Sequence, residues 1–142
     1  MPPFTVLYVR ASARAVASKG KPYRTIVVEG YEVLVGKGSD ENDHLTFDVA
    51  QPRDVWMHVD DDTPGSHVVV RNPDGGELPR SVLETAAAIT AWYSKARDRK
   101  QVAVCYCPAS KVSKPRGAPA GLVEVTGEKR VKVTPKLPAG VA

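Results

Sequence analysis

Residues that commonly build disulfide frameworks and metal centres are scarce in this sequence. It contains two cysteines and three histidines among 142 residues, and only 6% of its residues are aromatic. Cys105 and Cys107 stand one residue apart in "CYC", where a disulfide would be strained, so we expect free thiols and a reducing environment. These shortages argue against a disulfide-rich secreted domain.

Long apolar runs are absent as well. No segment approaches the roughly 18 apolar residues of a membrane-spanning helix. The first twenty residues, "MPPFTVLYVRASARAVASKG", lack the basic start and apolar stretch of a secretory signal, so none is expected. We therefore expect a cytoplasmic protein that has no membrane partner.

The sequence combines an ordinary globular composition with an uneven charge. Its 42% hydrophobic and 25% charged residues are typical of one domain of this length. The formal net charge is +4, but residues 1–37 carry +4, residues 38–94 carry −8 and residues 95–142 carry +8. Basic ends of this kind fit a polyanionic partner, and they equally fit a solvated surface whose segments neutralise one another in the fold.

Hydrophobic periodicity and turn residues predict an α+β fold. The predicted elements are a strand at residues 4–10, a loop at 11–22, a hairpin at 23–38 that turns at Glu29-Gly30, a short helix capped by Ser39 or Asp40, strands at 54–59 and 66–71, a long helix at 80–100, a strand at 102–107, a basic loop at 108–121 and a hairpin at 122–135 around Thr126-Gly127. The strands cluster before and after the long helix without strict alternation. This order favours a largely antiparallel sheet of about six to seven strands with one long and one short helix.

The stretch "DVWMHVDDDTPGSHVVVR" is the densest in polar chemistry. A zinc site needs three or four converging ligands, and no further Cys/His set at ligand spacing joins His58 and His67. Consecutive aspartates do not have the alternating spacing of a calcium loop. Cys105 or Cys107 could be a nucleophile, but alternation on an apolar strand favours one or both as core residues. We therefore predict no catalytic residue, metal or cofactor, and a hydrolase or metal site at His58/His67 stays as an alternative.

The ingredients for nucleic-acid binding are better. Two nearby segments of the C-terminal half, "SKARDRK" and "SKVSKPRGAPAG", hold most of the basic residues of that half. Lysine and arginine side chains neutralise phosphates. Trp56, Trp92 and Tyr93 are candidate stacking platforms for unpaired bases. Tyr93 fits better as a core residue, whereas Trp56 shares a strand face with the polar Asp54 and His58.

Six elements of the sequence, taken in order, resemble the NFACT-R domain. They lie in "GYEVLVGKGSDENDHLTFDVAQPRDVWMHVDDDTPGSHVVVR", "AAAITAWYSKAR" and "KVSKPRGAPAGLVEV". The matching positions are residues 30–36, 42–43, 54–58, 64–67, 86–97 and 114–121. The resemblance covers about residues 23–135, which divides the single domain into an N-terminal strand and loop (1–22), the NFACT-R-like part (23–135) and a flexible tail (136–142).

This resemblance implies an RNA-binding module without enzymatic activity. The larger family members are ribosome-associated quality-control factors that bind tRNA on a stalled large ribosomal subunit, so tRNA or rRNA and possible contact with that subunit are the implied partners. The larger members also promote C-terminal tailing of the stalled polypeptide, and this activity is not carried over to these 142 residues. The predicted RNA-binding residues are Asp54, Trp56, His58, Ser66, His67, Arg71, Ser94, Lys95, Arg97, Lys111, Lys114 and Arg116. Histidines with pKa values near neutrality would make binding pH-dependent. General binding of DNA or another polyanion stays open as a second class, and the sequence does not determine the oligomeric state.

Overall fold

The fold is described from a computed structural model, which covers residues 13–60 and 62–141. The strand predicted at residues 4–10 lies outside the described residues. Strand β1 (Ala13–Val16) falls within the segment that was predicted to be a loop. This strand pairs with β2 (Tyr23–Val28). Its Ala13 faces the apolar core, whereas the exposed neighbours face solvent.

Among the described residues, seven strands form one antiparallel sheet, which confirms the predicted fold class. Besides β1 and β2, these strands are β3 (Tyr31–Gly36), β4 (Val55–Val59), β5 (Val68–Val70), β6 (Val102–Pro108) and β9 (Lys129–Val133). The order across the sheet is β1-β2-β3-β5-β4-β6-β9. A separate two-stranded sheet pairs β7 (Val112–Ser113) with β8 (Glu124–Val125).

The hairpin predicted at Glu29-Gly30 is confirmed. Glu29 has φ 49° and Gly30 has φ 86°, the left-handed conformations that a two-residue hairpin turn requires at both central positions. Val28 and Tyr31 flank the turn as paired residues. The register that follows places Val33 and Val35 in the core.

A short helix follows β3, as predicted, but its cap differs. Helix α1 (Ser39–His44) begins after Gly38, which occupies the capping position without a side-chain hydrogen bond, so Ser39 and Asp40 lie inside the helix rather than before it. The chain continues through a wider π-helical turn (Leu45–Val49). Leu45 and Thr46 of this turn are buried against the sheet.

The long helix ends earlier than its pattern predicts. Helix α2 (Arg80–Trp92) packs Val82, Ala86 and Ile89 on one face of the sheet. The helical pattern predicted its continuation to residue 100. The chain leaves the helix because the backbone after Trp92 bonds to another segment: the Ser66 amide donates to the Tyr93 carbonyl at 3.0 Å.

Strand β4 divides its side chains between two cores, as its alternation predicts. Met57 and Val59 face α2, whereas Trp56 faces a second cluster with Leu45 and Cys107. Both cysteines are buried and free, as predicted for core residues.

The hairpin predicted at residues 122–135 is wrong. The chain does turn at Gly127, which has φ 65°, but the two flanking strands do not pair with each other. Strand β8 pairs with β7, and β9 pairs with β6. The two strands separate because Val131 and Val133 complete the core under α2 while Val125 packs with the second cluster.

The C-terminal residues 136–141 run beside α2. The Lys136 amide donates to the Ala88 carbonyl at 3.4 Å, and Leu137 and Val141 pack against the main core. A free tail would not make these contacts, so the predicted boundary at residue 136 does not coincide with the end of packed structure. Neither α1 nor α2 is long and apolar enough to cross a membrane, and no other helix among the described residues is.

Candidate nucleic-acid interface

The predicted site residues separate into a buried network and a set of exposed cations. Asp54, Trp56 and His67 are each 2% exposed or less. Because a side chain this buried presents almost no surface, the structure does not support direct RNA contact by these three residues, which stays a prediction. The exposed members are Lys95, Arg97, Lys111 and Arg116.

Asp54 and Arg71 tie two loops together. One Asp54 carboxylate oxygen accepts hydrogen bonds from the Gln51 amide at 2.8 Å and Arg71 Nη1 at 3.0 Å, and the other accepts from the Asn72 amide at 2.8 Å. Arg71 Nη1 also donates to the Val49 carbonyl at 3.0 Å. Both oxygens of this buried carboxylate thus have hydrogen-bond partners inside the protein.

Trp56 is the start of a directed chain of hydrogen bonds. Its Nε1–H donates to Thr46 Oγ1 at 3.2 Å, and Thr46 Oγ1 lies 2.8 Å from His67 Nδ1. His67 Nε2 lies 3.1 Å from the carbonyl oxygen of Gly121. Since a carbonyl only accepts, Nε2 carries the proton, so Nδ1 accepts from the Thr46 hydroxyl. The prediction that Trp56 is an exposed stacking platform is wrong, because its ring fills the second core.

This network requires a neutral His67. Burial, followed by the neighbouring His58, lowers the pKa of His67 to about 4. A protonated Nδ1 would donate to Thr46, and the threonine hydroxyl would then lose its acceptor. The prediction of a histidine near neutral pKa is therefore wrong for His67, which stays uncharged at physiological pH.

His58 lies against the same network but remains partly accessible. Its ring stacks on Trp56 with centroids 6.1 Å apart and meets His67 edge to face at 5.5 Å. Its Nδ1 donates to the Val59 carbonyl at 2.6 Å. Burial lowers the pKa of His58, although backbone hydrogen bonds and nearby aspartates oppose the shift. The two histidines do meet across the strands, as their positions predict.

The histidine pair has little capacity to bind a metal ion. Both ring nitrogens of His67 are already hydrogen-bonded, to Thr46 and Gly121. Across residues 13–60 and 62–141, no group of three or more His, Cys, Asp or Glu side chains is arranged to hold a metal ion. Burial raises the pKa values of the Cys105 and Cys107 thiols to about 11, so neither forms a thiolate nucleophile at neutral pH.

The Pro64–Gly65–Ser66 turn is fastened to the chain that follows α2. Gly65 pairs with Ser94 in an isolated β-bridge, and the Lys95 amide donates to the Pro64 carbonyl at 2.9 Å. A Cβ on Gly65 would lie 2.7 Å from Ser94 Cβ, so only glycine allows this approach. Ser66 Oγ donates to the Gly36 carbonyl at 2.7 Å. Ser66 and Ser94 thus hold the turn in place.

Lys114 closes the loop of residues 114–122 instead of projecting from it. Its Nζ lies 2.5 Å from the Pro119 carbonyl, 2.9 Å from the Leu122 carbonyl and 2.9 Å from an Asp43 carboxylate oxygen. The ammonium group thus makes two hydrogen bonds to carbonyl groups and one ion pair within the protein. These internal contacts do not support a phosphate-binding role for Lys114, which stays a prediction.

Sequence reasoning missed three residues of this arrangement. Thr46 joins Trp56 to His67, Asn42 Oδ1 accepts the His67 amide at 3.1 Å, and Asp43 accepts the Gly121 amide at 3.1 Å. The Asn42-Asp43 pair was part of the family pattern and signalled its importance, but not its role. Thr46 has no sequence signal, because only the fold brings it between two rings.

The turn at residues 64–67 consequently joins two basic segments, residues 93–97 and residues 108–122. We call these two segments, together with the turn, the basic surface. On one side the Ser66 amide bonds to Tyr93, and on the other His67 bonds to Gly121. The exposed cations of the basic surface are Lys95, Arg97, Lys111 and Arg116. Arg97 is ordered by its Nε, which donates to the Trp92 carbonyl at 2.7 Å.

The fold and this surface define a class of protein: a small α+β domain whose Pro-Gly-Ser-His turn joins two basic segments. A family model described as "NFACT protein RNA binding domain" matches residues 21–127. The chain therefore belongs to this family of RNA-binding domains, as the resemblance of the sequence predicted.

Curated relatives agree with this assignment. The chain is 38% identical over 133 residues to the Rqc2 homolog RqcH of Bacillus subtilis, a match that covers 90% of this chain and 23% of the relative. It is 34% identical over 116 residues to the ribosome quality control complex subunit NEMF homolog of Drosophila melanogaster, covering 81% of this chain and 11% of the relative. The chain thus spans less than a quarter of the length of these relatives.

A solved structure has the same fold. It is described as the C-terminal part of the fibronectin/fibrinogen-binding protein from Streptococcus suis, and it matches with a TM-score of 0.70 and 34% sequence identity. The match covers 94% of this chain and 49% of that chain. The architecture described above is therefore shared with an experimentally determined relative.

Proposed function

We propose that this domain binds structured RNA, tRNA or rRNA, through the basic surface and catalyses no reaction, in the setting of ribosome-associated quality control. One observation carries the proposal: the turn at residues 64–67 joins the two basic segments. The two segments that meet at this turn carry four exposed cations, and phosphate groups of a folded RNA are the ligands that such cations neutralise.

The relatives' names support the setting. RqcH is named as an Rqc2 homolog, and the Drosophila relative is named as a subunit of the ribosome quality control complex. Contact with the large ribosomal subunit and a cytoplasmic location follow from the same proposal. The relatives also contain regions outside the part that this chain matches. Their full activity is therefore not proposed for this chain.

The proposal that the domain catalyses no reaction rests on the thiol pKa values and hydrogen bonds of the candidate catalytic side chains. Cys105 and Cys107 have raised thiol pKa values of about 11, and both ring nitrogens of His67 are bonded to the protein. A nucleophile or general base needs a free, suitably ionised group near the substrate. The cysteines instead pack in the second core, and His67 stabilises the turn that joins the basic segments.

The test removes one cation from each side of the turn. Lys95→Ala/Arg116→Ala should weaken tRNA binding and lower the slope of log K against log salt by about 2, roughly one for each lost phosphate contact. Binding is measured by fluorescence anisotropy over a range of salt concentrations. The matched control is Lys132→Ala/Lys136→Ala, which removes the same charge from exposed positions on β9 and beside α2.

The outcomes separate the competing functions. Equal loss in both double variants would mean that only net charge matters and would overturn the site. Competition among tRNA, a large-subunit rRNA fragment, duplex DNA and heparin separates RNA binding from general polyanion binding. If heparin and duplex DNA displaced labelled tRNA as well as unlabelled tRNA does, the proposal of an RNA-specific domain would be wrong.

A further inference from the structure

Trp92 and Arg97 form an ordered stack at the edge of the basic surface. The Arg97 guanidinium carbon lies 4.5 Å from the centroid of the Trp92 ring. Trp92 is partly exposed and Arg97 is exposed. The only other tryptophan, Trp56, is 2% exposed. The stacking platform that the sequence analysis sought at Trp56 is therefore available at Trp92.

The end of α2 holds this stack in place. Arg97 Nε donates to the Trp92 carbonyl at 2.7 Å, and Ser94 Oγ donates to the Ala91 carbonyl at 2.7 Å. Both bonds satisfy carbonyls that a helix leaves free at its C-terminus, and a cation is favoured there by the helix dipole. Because the side chain is ordered before any ligand arrives, less conformational entropy is lost on binding.

The exposed side of the stack has the chemistry of a nucleobase site. A guanidinium group is planar and stacks on aromatic rings through both of its faces. The guanidinium carbon of Arg97 lies over the Trp92 ring, and Arg97 is exposed. Unpaired bases stack on aromatic rings and on guanidinium planes, whereas bases within a duplex are already stacked on one another. Such a stack therefore distinguishes unpaired from paired nucleotides.

A second arginine–aromatic pair lies nearby but differs in a useful way. The Arg24 guanidinium carbon lies 5.2 Å from the centroid of the Tyr93 ring. Tyr93 packs against the main core, and no hydrogen bond between described residues fixes the Arg24 side chain. The Arg97 stack is closer and is fixed by a hydrogen bond, so it is the better-ordered of the two.

We propose that Trp92 and Arg97 form a subsite for an unpaired nucleobase, which stacks on the guanidinium face opposite the indole ring. The subsite rests on the proposed function, since it lies beside the turn that joins the basic segments: the Lys95 amide, between the two residues, bonds to Pro64. The basic surface then holds phosphates, and the stack confers a preference for loops or single strands over duplex.

Two RNA probes and one conservative substitution test this subsite. The probes are a hairpin with an unpaired loop and a fully paired duplex with the same stem sequence, both fluorescently labelled. Arg97→Lys keeps the charge but removes the plane. We expect it to bind the hairpin about fivefold or more weakly, in line with the stacking of one base, and to bind the duplex as wild type does. Arg80→Lys, at the opposite end of α2, is the matched control and should change neither.

Tryptophan fluorescence gives a direct readout. A base that stacks on Arg97 covers the guanidinium that lies over the indole ring, so addition of the hairpin should change Trp92 emission and addition of the duplex should not. Trp92→Phe should remove that change while Trp56 still reports an intact fold. Equal weakening of both probes by Arg97→Lys, or hairpin binding with no change in Trp92 emission, would overturn the subsite and leave the proposed function standing. Binding of neither probe by the wild-type protein would overturn the proposed function and the subsite together.

Discussion

The buried signature network and the exposed basic surface use polar side chains in opposite ways. Asp54, Trp56 and His67 spend their hydrogen-bonding groups on other parts of the protein. Lys95 and Arg116 are exposed, and neither takes part in an ion pair among the described residues. The residues that look most like chemistry in the sequence therefore form the scaffold, and the binding groups that we propose are ordinary surface cations.

Lys114 shows why this distinction matters. It lies two residues from Arg116 in the same basic loop, yet three protein acceptors surround its ammonium group. Sequence reasoning treats the two cations alike, because both belong to one positively charged stretch. In the structure Lys114 contacts three acceptors of the protein, whereas Arg116 takes part in no ion pair among the described residues. Removal of the two cations should therefore have different consequences.

The largest effect should come from the buried side of the comparison. Asp54→Ala would leave the Gln51 and Asn72 amides and the Arg71 guanidinium without their acceptor. We expect a loss of about 3 to 5 kcal/mol in the free energy of unfolding, measured with urea. The control Asp98→Ala removes an exposed carboxylate and should stay within about 0.5 kcal/mol of wild type. A stable Asp54→Ala protein that no longer binds RNA would instead make Asp54 a contact residue.

Acid should destabilise the same network. The pKa of His67 is about 4 in the folded protein and 6.5 in its ordinary state, so the unfolded chain binds the proton more readily between these values. The contribution of neutral His67 is complete above about pH 6.5 and falls as the pH decreases towards 4, by on the order of 3 kcal/mol.

Urea unfolding of wild type and His67→Gln across this pH range measures that contribution. The stability difference between the two proteins should shrink as the pH falls, because only the wild type has the titrating group at this position. A difference that stays constant from about pH 7 to about pH 4 would show that the Trp56–Thr46–His67 chain does not depend on a neutral imidazole.

The junction between the two regions should be sensitive to one methyl group. Gly65→Ala would place a Cβ 2.7 Å from Ser94 Cβ, which forces the turn away from residues 93–95. We expect a loss of about 1 to 3 kcal/mol in stability together with weaker RNA binding. Gly38→Ala is the control, because its Cβ would meet only Glu41 Oε1, at 2.6 Å and at the end of a flexible side chain. Normal RNA binding by Gly65→Ala would argue that the turn does not align the basic segments.

The smallest effect should separate two neighbouring cations. Arg116→Ala should lower the slope of log K against log salt for tRNA by about 1 without changing stability. Lys114→Ala should leave that slope unchanged and cost about 1 kcal/mol of stability, since its partly exposed ion pair is screened by solvent. Paired anisotropy and urea measurements check both. Reversed results would place Lys114, not Arg116, on the RNA.

Local pattern was a good guide where neighbours along the chain decide the structure. Glu29-Gly30 predicted its hairpin because a two-residue turn demands left-handed conformations there. The alternation of β4 predicted that Met57 and Trp56 face different cores. Local pattern failed where distant backbone competes. The helix stops at Trp92 because residues 93–95 bond to Pro64 and Ser66, and β8 and β9 separate because each finds a different partner strand.

The sequence by itself determined the antiparallel α+β class, the buried cysteines, the uneven charge and membership of the RNA-binding family. These properties depend on periodicity, composition and motif order, which the chain carries along its length. Only the tertiary structure decided which polar residues are free to bind. Whether Trp56 or Trp92 offers its ring, and whether Lys114 or Arg116 offers its charge, depends on burial and on partners elsewhere in the chain, such as Thr46 for Trp56 and Asp43 for Lys114. Hydrogen bonds and burial are set by contacts across the fold, so residue type alone does not reveal them.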